Sequence, residues 1–449
     1  MKKHNMNTLK KTLGLAAALA TIALCACGGG SSSGNQGSNS IGWNATPAWT
    51  PVPTGSGGSG GSGSSNNSST PATGDNTVPV RVGTSTGDAN GLNRLLVSIK
   101  ICVPGTSDAS RCVTVDNMLV DTGSTGVRIA ANAIPTLAPL LLTQAGAVDD
   151  KVGSAPIAEC APFASGFTWG SVKRADITIG SKTASNLPIQ VIADGEFSTP
   201  ADCIAHNGGD LSTRFDTLGA NGILGIDNFT SDSLDALTTA VPGLYYYCAS
   251  QTNCVSTRML ASKEVANPVP AFATDNNGTV IRLPAVPATG QANVTGQLVF
   301  GVNTQSNNTL PTTATVVALD RYGLFTTQYQ GHVFNQSAID SGTPAYAFPD
   351  STIPSSVEGL YTPASPLNPI ATIEATNGTS PPLQMTFPLA NVTGLMASGN
   401  TAFNNLGQSF SNSRNNMFLW GLPFFYGRDI YNVIGNAKVG RQTGPFVAF

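Results

Sequence analysis

The sequence predicts a mostly β fold in two lobes, on three observations. Short apolar runs separated by Gly, Asn, Pro and Ser recur along the chain, and long amphipathic helical patterns are scarce. Roughly 375 residues follow a low-complexity N-terminal stretch, more than one hydrophobic core usually serves. A pair of landmarks also occurs twice: an apolar segment running into Asp, hydroxyl, Gly, hydroxyl, and further on an apolar segment ending in Gly.

At the N-terminus, Lys2, Lys3, Lys10 and Lys11 precede an uncharged run from Leu13 to Leu24 that leads into Ala26 and Cys27. Basic residues, a short apolar stretch and a small residue before a cut predict a secretory signal over residues 1–26. The apolar run falls short of the about 20 residues that a spanning helix needs. Leu24-Cys25-Ala26-Cys27-Gly28 is similar to a bacterial lipobox, which implies Cys27 as the lipidated first residue of the mature chain. Cys25 is the rival, but Leu24 stands before it where a small residue is expected. Residues 27–75 are Gly, Ser, Asn, Thr and Pro with almost no charge, which predicts a disordered tether. Beyond it the expected lobes are residues 76–303 and 304–449.

Charged residues make up only 10% of the chain and the net charge is -3. No basic cluster follows the signal, which argues against a nucleic-acid partner. Six of the eight cysteines lie beyond the signal, an even set that suggests disulfides in an exported protein. Proximity pairs Cys102 with Cys112, Cys160 with Cys203 and Cys248 with Cys254, with other connectivities open. Strands are expected at residues 95–101, 175–179, 297–300 and 424–433, and a short helix at residues 233–239.

The repeated landmark carries the chemistry. Met118-Leu119-Val120-Asp121-Thr122-Gly123-Ser124 is echoed by Ser337-Ala338-Ile339-Asp340-Ser341-Gly342-Thr343. Ile223-Leu224-Gly225 and Leu419-Trp420-Gly421 are the downstream partners. One Asp-Thr-Gly is ordinarily a turn with a local side-chain hydrogen bond; two, each with its partner segment, point to an assembled pair. Gly permits tight turning and close approach, while the hydroxyls of Thr122, Ser124, Ser341 and Thr343 orient the carboxylates. Two carboxylates brought face to face share one proton, and such a pair can activate water and protonate a carbonyl.

These segments resemble the pepsin family over residues 78–449, with the order of its landmarks kept. The resemblance implies a bilobal double β-barrel with a central cleft, Asp121 and Asp340 as catalytic residues, and Thr122, Gly123, Ser124, Ser341, Gly342 and Thr343 in support. The aspartates stand 219 residues apart, which implies loop insertions in the first lobe. The family's cleft is covered by a β-hairpin flap carrying a Tyr, and no Tyr lies between Gly123 and Tyr245 here. Trp169 is the flap candidate, with core packing as its other reading; the match places it on the returning strand and Cys160 near the tip. The chain is also similar to uncharacterised proteobacterial lipoproteins known as a family of unknown function.

Only His206 and His332 remain after signal removal, so histidine triads and histidine-rich zinc sites are poorly supplied. No metal or organic cofactor is implied, since a carboxylate dyad needs only water. Three functions stay open: an aspartic endopeptidase, a catalytically inactive binding module on the same scaffold, and an envelope structural or assembly protein. The expected partners are a peptide or protein in the cleft and a membrane through the lipid anchor, with the chain as a monomer. Gly28 after Cys27 favours the outer membrane by resemblance, and leaves its face open.

Overall fold

A computed structural model describes residues 74–83, 91–163, 166–207, 209–212, 220–378, 381–410 and 416–449. The signal, Cys27 and the tether as far as residue 73 lie outside the described residues. What is described is mostly β, in several sheets. Two short α-helices are present, Ala201–Asn207 and Val392–Ala397. Strand alternation sets the faces: Ala175, Ile177 and Ile179 are buried, whereas Asp176 and Thr178 between them are partly exposed. The strand Thr125–Ala130 is buried throughout, so the sheet is covered on both faces there.

Two expected elements differ. Residues 233–239 form turns, with the amides of Thr238 and Thr239 both donating to the Asp235 carbonyl. Residues 424–433 split into a 3-10 turn, Leu422–Phe425, and the strand Arg428–Val433. Pro423 has no N–H for a sheet ladder, so the strand begins beyond it.

Sixteen strands form the larger sheet and seven the smaller one. In the larger sheet, Gly222–Ile226 runs parallel to Cys112–Asp121 and antiparallel to Thr125–Ala130. In the smaller, Met417–Trp420 runs parallel to His332–Ile339 and antiparallel to Tyr346–Ala347. The landmark repeat in the sequence is therefore a repeat of strand pairing. Sheet membership does not divide at residue 303, because the chain's last strands turn back. Arg428–Val433 pairs with Gly278–Leu283, and Phe446–Ala448 joins it to Val316–Ala318. One apolar cluster runs from Val120 and Leu224 in the larger sheet to Phe418 and Trp420 in the smaller. That shared core fixes the two aspartate strands relative to each other.

All three disulfides join the cysteines that proximity pairs: Cys102–Cys112, Cys160–Cys203 and Cys248–Cys254. Two of them link neighbouring strands at paired positions. The third ties the strand Ile157–Phe163 to the helix Ala201–Asn207.

Candidate active site

Asp121 ends its strand and Asp340 directly follows Ile339, so each carboxylate stands where a buried strand enters a turn. The two turns brace each other by exchange. Thr122 N–H donates to Ser341 Oγ at 3.1 Å, and Ser341 N–H donates to Thr122 Oγ1 at 3.0 Å. Each hydroxyl then donates across to the other strand, Thr122 Oγ1 to the Ile339 carbonyl at 3.1 Å and Ser341 Oγ to the Val120 carbonyl at 2.7 Å. Every donor and acceptor of the crossing is used, which is what lets polar loops be buried. Gly342 sits against the first carboxylate: a Cβ there would lie 2.5 Å from Asp121 Oδ1, so the approach requires glycine.

The carboxylates are satisfied unequally. Asp121 accepts from Gly123 N–H at 2.9 Å and from Ser124 Oγ at 2.6 Å. Asp340 accepts from Gly342 N–H at 2.8 Å, while its Oδ2 and the hydroxyl of Thr343 are buried without a hydrogen-bond partner among the described residues. Asp340 is fully buried and Asp121 is 3% exposed. Burial first, and then the charge of Asp121, hold the Asp340 carboxyl well above the usual carboxylate range, against the pull of the Thr343 hydroxyl, which is near but makes no well-formed hydrogen bond, and of the Gly342 amide. In this arrangement burial favours the protonated form of Asp340. All eight residues expected at the dyad, Asp121 to Ser124 and Asp340 to Thr343, are gathered here.

A third carboxyl, absent from the sequence-based set, stands beside them. Asp227 follows the strand Gly222–Ile226, whose Gly225 is the ladder partner of Asp121. Its amide donates to the Ser124 carbonyl at 3.2 Å, and its Oδ2 accepts the Thr125 hydroxyl at 2.5 Å. Burial pushes its carboxyl up to about 7, with Asp121 adding to the rise and the Thr125 and Phe229 donors opposing it. Asp227 shares a mostly apolar cavity with Thr122 and Gly123, closed by Phe229, Leu324 and Met417.

In the hairpin 157–179 Trp169 lies on the returning strand, as the match implies. Cys160 pairs with Trp169, and Phe163 with Gly166 forms the last pair of the ladder. Trp169 is buried; its ring meets Tyr246 edge-on at 5.5 Å and its Nε1 donates to the Phe197 carbonyl at 2.8 Å. It packs with Cys160, Cys203 and Cys248, so core packing accounts for this side chain. Cys160 lies three residues before the end of its strand. Phe163 ends that strand, with the Arg128 guanidinium 5.8 Å from its ring centre.

Arg128 lies inside the wholly buried strand and needs partners. Its Nη2 reaches Glu159 Oε1 at 2.6 Å and Asp232 Oδ2 at 2.8 Å. Tyr245 Oη donates to Asp232 Oδ1 at 2.6 Å. Burial opposes the Arg128 charge, and Glu159 and Asp232 outweigh it. Burial, followed by the charge of Glu159, raises the Asp232 carboxyl well above its ordinary range, against the pull of Arg128. A charge inside an otherwise apolar run is the signal that could have marked Arg128 and Glu159 in a chain this poor in charge. Of the two histidines, His206 and His332 are both exposed. Among the described residues, no group of three or more His, Cys, Asp or Glu is arranged to hold a metal ion.

A family model described as "Protein of unknown function (DUF3443)" matches residues 72–449. The chain belongs to that family. No curated protein matches it. The DUF3443 description carries no activity, and the match takes in both aspartate loops, Asp227 and the Arg128 cluster.

Proposed function

We propose that this chain is a pepsin-like aspartic endopeptidase of the cell envelope, with two β lobes, a cleft between them and Asp121 and Asp340 at its base. The observation that carries this reading is the reciprocal Thr122–Ser341 brace, which brings two like-built carboxylate loops into contact. In the proposed reaction a water held between the carboxylates gives a proton to the ionised one as its oxygen bonds to the peptide carbonyl carbon. The protonated carboxyl gives its proton to the carbonyl oxygen, forming a neutral diol. The C–N bond then breaks as the leaving nitrogen takes up a proton, and the dyad returns with one proton shared. Lipid at Cys27 would hold the domain at the outer membrane, with a peptide or protein substrate entering the cleft.

A second reading, a binding module that keeps the scaffold without the reaction, is favoured by the hairpin. The Cys160–Cys203 disulfide tethers it, and Trp169 is packed in the core with its Nε1 held by the Phe197 carbonyl. Cleavage of a mixed peptide library across acid to neutral pH, by the wild type and by Asp121→Asn and Asp340→Asn, separates the two. We expect wild-type cleavage that falls by about a thousandfold or more in each variant. A folded wild type that cuts nothing, or variants that cut as well as it does, would leave the binding module.

A further inference from the structure

We infer that Asp227 is a third carboxylate of the site, a positioning residue that acts through Asp121 to hold the dyad's shared proton as the surroundings approach neutral pH. The inference rests on the endopeptidase reading for its consequence, and on geometry for its mechanism. Asp227 is bound to the first aspartate loop from two sides. Its amide donates to the Ser124 carbonyl, and Ser124 Oγ in turn donates to Asp121 Oδ2 at 2.6 Å. Its carboxylate accepts from Thr125, the next residue of that loop, and from the amide of Phe229 at 3.0 Å. The side chain is 5% exposed and faces the cavity that Thr122 and Gly123 also line.

A carboxyl with two fixed donors is prepared to ionise, and one buried beside another carboxylate resists ionising. The charged groups acting on it are Asp121, which raises its pKa to about 7 together with burial, and Arg128, which opposes the rise. Below that pH Asp227 is neutral and leaves the dyad alone. Above it, a new negative charge faces the Asp121 loop, and losing the shared proton would gather further negative charge in the same small volume. The dyad then keeps its proton to higher pH. A neutral compartment is where such a device matters, since a dyad that had lost both protons could not protonate a carbonyl.

The test is a carboxyl-carbon NMR titration of the whole protein, wild type against Asp227→Asn, beside the pH profile of kcat/KM for peptide cleavage. We expect Asp227→Asn to lower the upper dyad step by about one pH unit, to draw in the alkaline limb of the profile equally, and to leave the acid limb in place. Thr125→Val, which removes one donor but keeps the carboxyl, should shift the upper step in the same direction by less, and serves if Asp227→Asn does not fold. An upper step that stays where the wild type has it, or that rises, overturns the inference whether or not the protein cleaves peptides. A wild type that titrates as expected but cleaves nothing sinks the endopeptidase reading and leaves the coupling standing.

Discussion

Seven residues after Asp121 stands Arg128, and seven after Asp340 stands Ala347. Both lie on the strand antiparallel to the partner segment, so the two positions are equivalent in the repeat. Around Arg128 the chain gathers Glu159, Asp232, Tyr245 and Glu264. Around Ala347 it gathers Ala338 and Leu419, while on the other face of the same strand Phe348 stacks on Phe418 at 4.8 Å, and Phe387 meets both Phe418 and Trp420 edge-on. One backbone device thus carries an ionic cluster in the first half, where the second has a small aliphatic face backed by an aromatic one. The lesson is that the geometry of the loops does not require either chemistry, and that the titratable support lies in one half.

The largest expected effects test that contrast directly. Arg128→Ala should destabilise the fold by about 3–5 kcal/mol, because it leaves the fully buried Glu159 without its counter-ion. Phe418→Ala should cost a similar about 3–5 kcal/mol through the cavity it opens. Urea unfolding at several pH values tells them apart: the Arg128 variant should change the slope of stability with pH, and the Phe418 variant should leave it unchanged. Equal slopes in all three proteins would mean that the ionic support is not where pH acts.

The aromatic support and the dyad were legible in the sequence to different degrees than the ionic support. The Asp-hydroxyl-Gly repeat could be read because its residues are contiguous and its partner segments must end in Gly: a Cβ on Gly225 would come within 2.7 Å of the Ser124 carbonyl oxygen, and one on Gly421 within 2.6 Å of that of Thr343. The disulfides were legible because two of them close short hairpins. Residues 157–163 and 166–173 are buried almost throughout, so alternation could not fix which side chains of the hairpin face the core. Asp227 and Asp232 come from one loop and Glu264 from another, and they meet the strand residues only after the strands have paired. Their sequence signal is weak, since each alone reads as an ordinary turn residue.

Glu264 gives the next effect. Burial pushes its carboxyl up to about 7, with Glu159 adding to the rise, against hydrogen bonds from Ser231 and Ser233. An ordinary Glu titrates near about 4.3. Below that value both folded and unfolded chains hold the proton and the group costs nothing. Between it and about 7 the unfolded chain gives up its proton while the folded one keeps it, so stability falls as pH rises through that window. Glu264→Gln should remove this slope and leave the variant about 2 kcal/mol less penalised at neutral pH than the wild type. Thermal unfolding across the window measures it. A slope that survives in Glu264→Gln would shift the pH sensitivity to Asp232.

The smallest expected effect returns to the loops themselves. Ser124 Oγ donates to Asp121 at 2.6 Å, while the equivalent hydroxyl, Thr343, has no hydrogen-bond partner among the described residues. Ser124→Ala should therefore cost about 1.5 kcal/mol, roughly tenfold in kcat/KM, as the loss of one bond to a charged acceptor. Thr343→Ala should cost under about 0.5 kcal/mol in the stability of the free protein. If the Thr343 change lowers kcat/KM as much as the Ser124 change while sparing stability, its hydroxyl finds its partner when substrate is bound, and the asymmetry of the two loops belongs to the free protein alone. If both changes cost the same stability, the loops are energetically alike, and burial of Asp340 is left to place the proton without help from the hydroxyls.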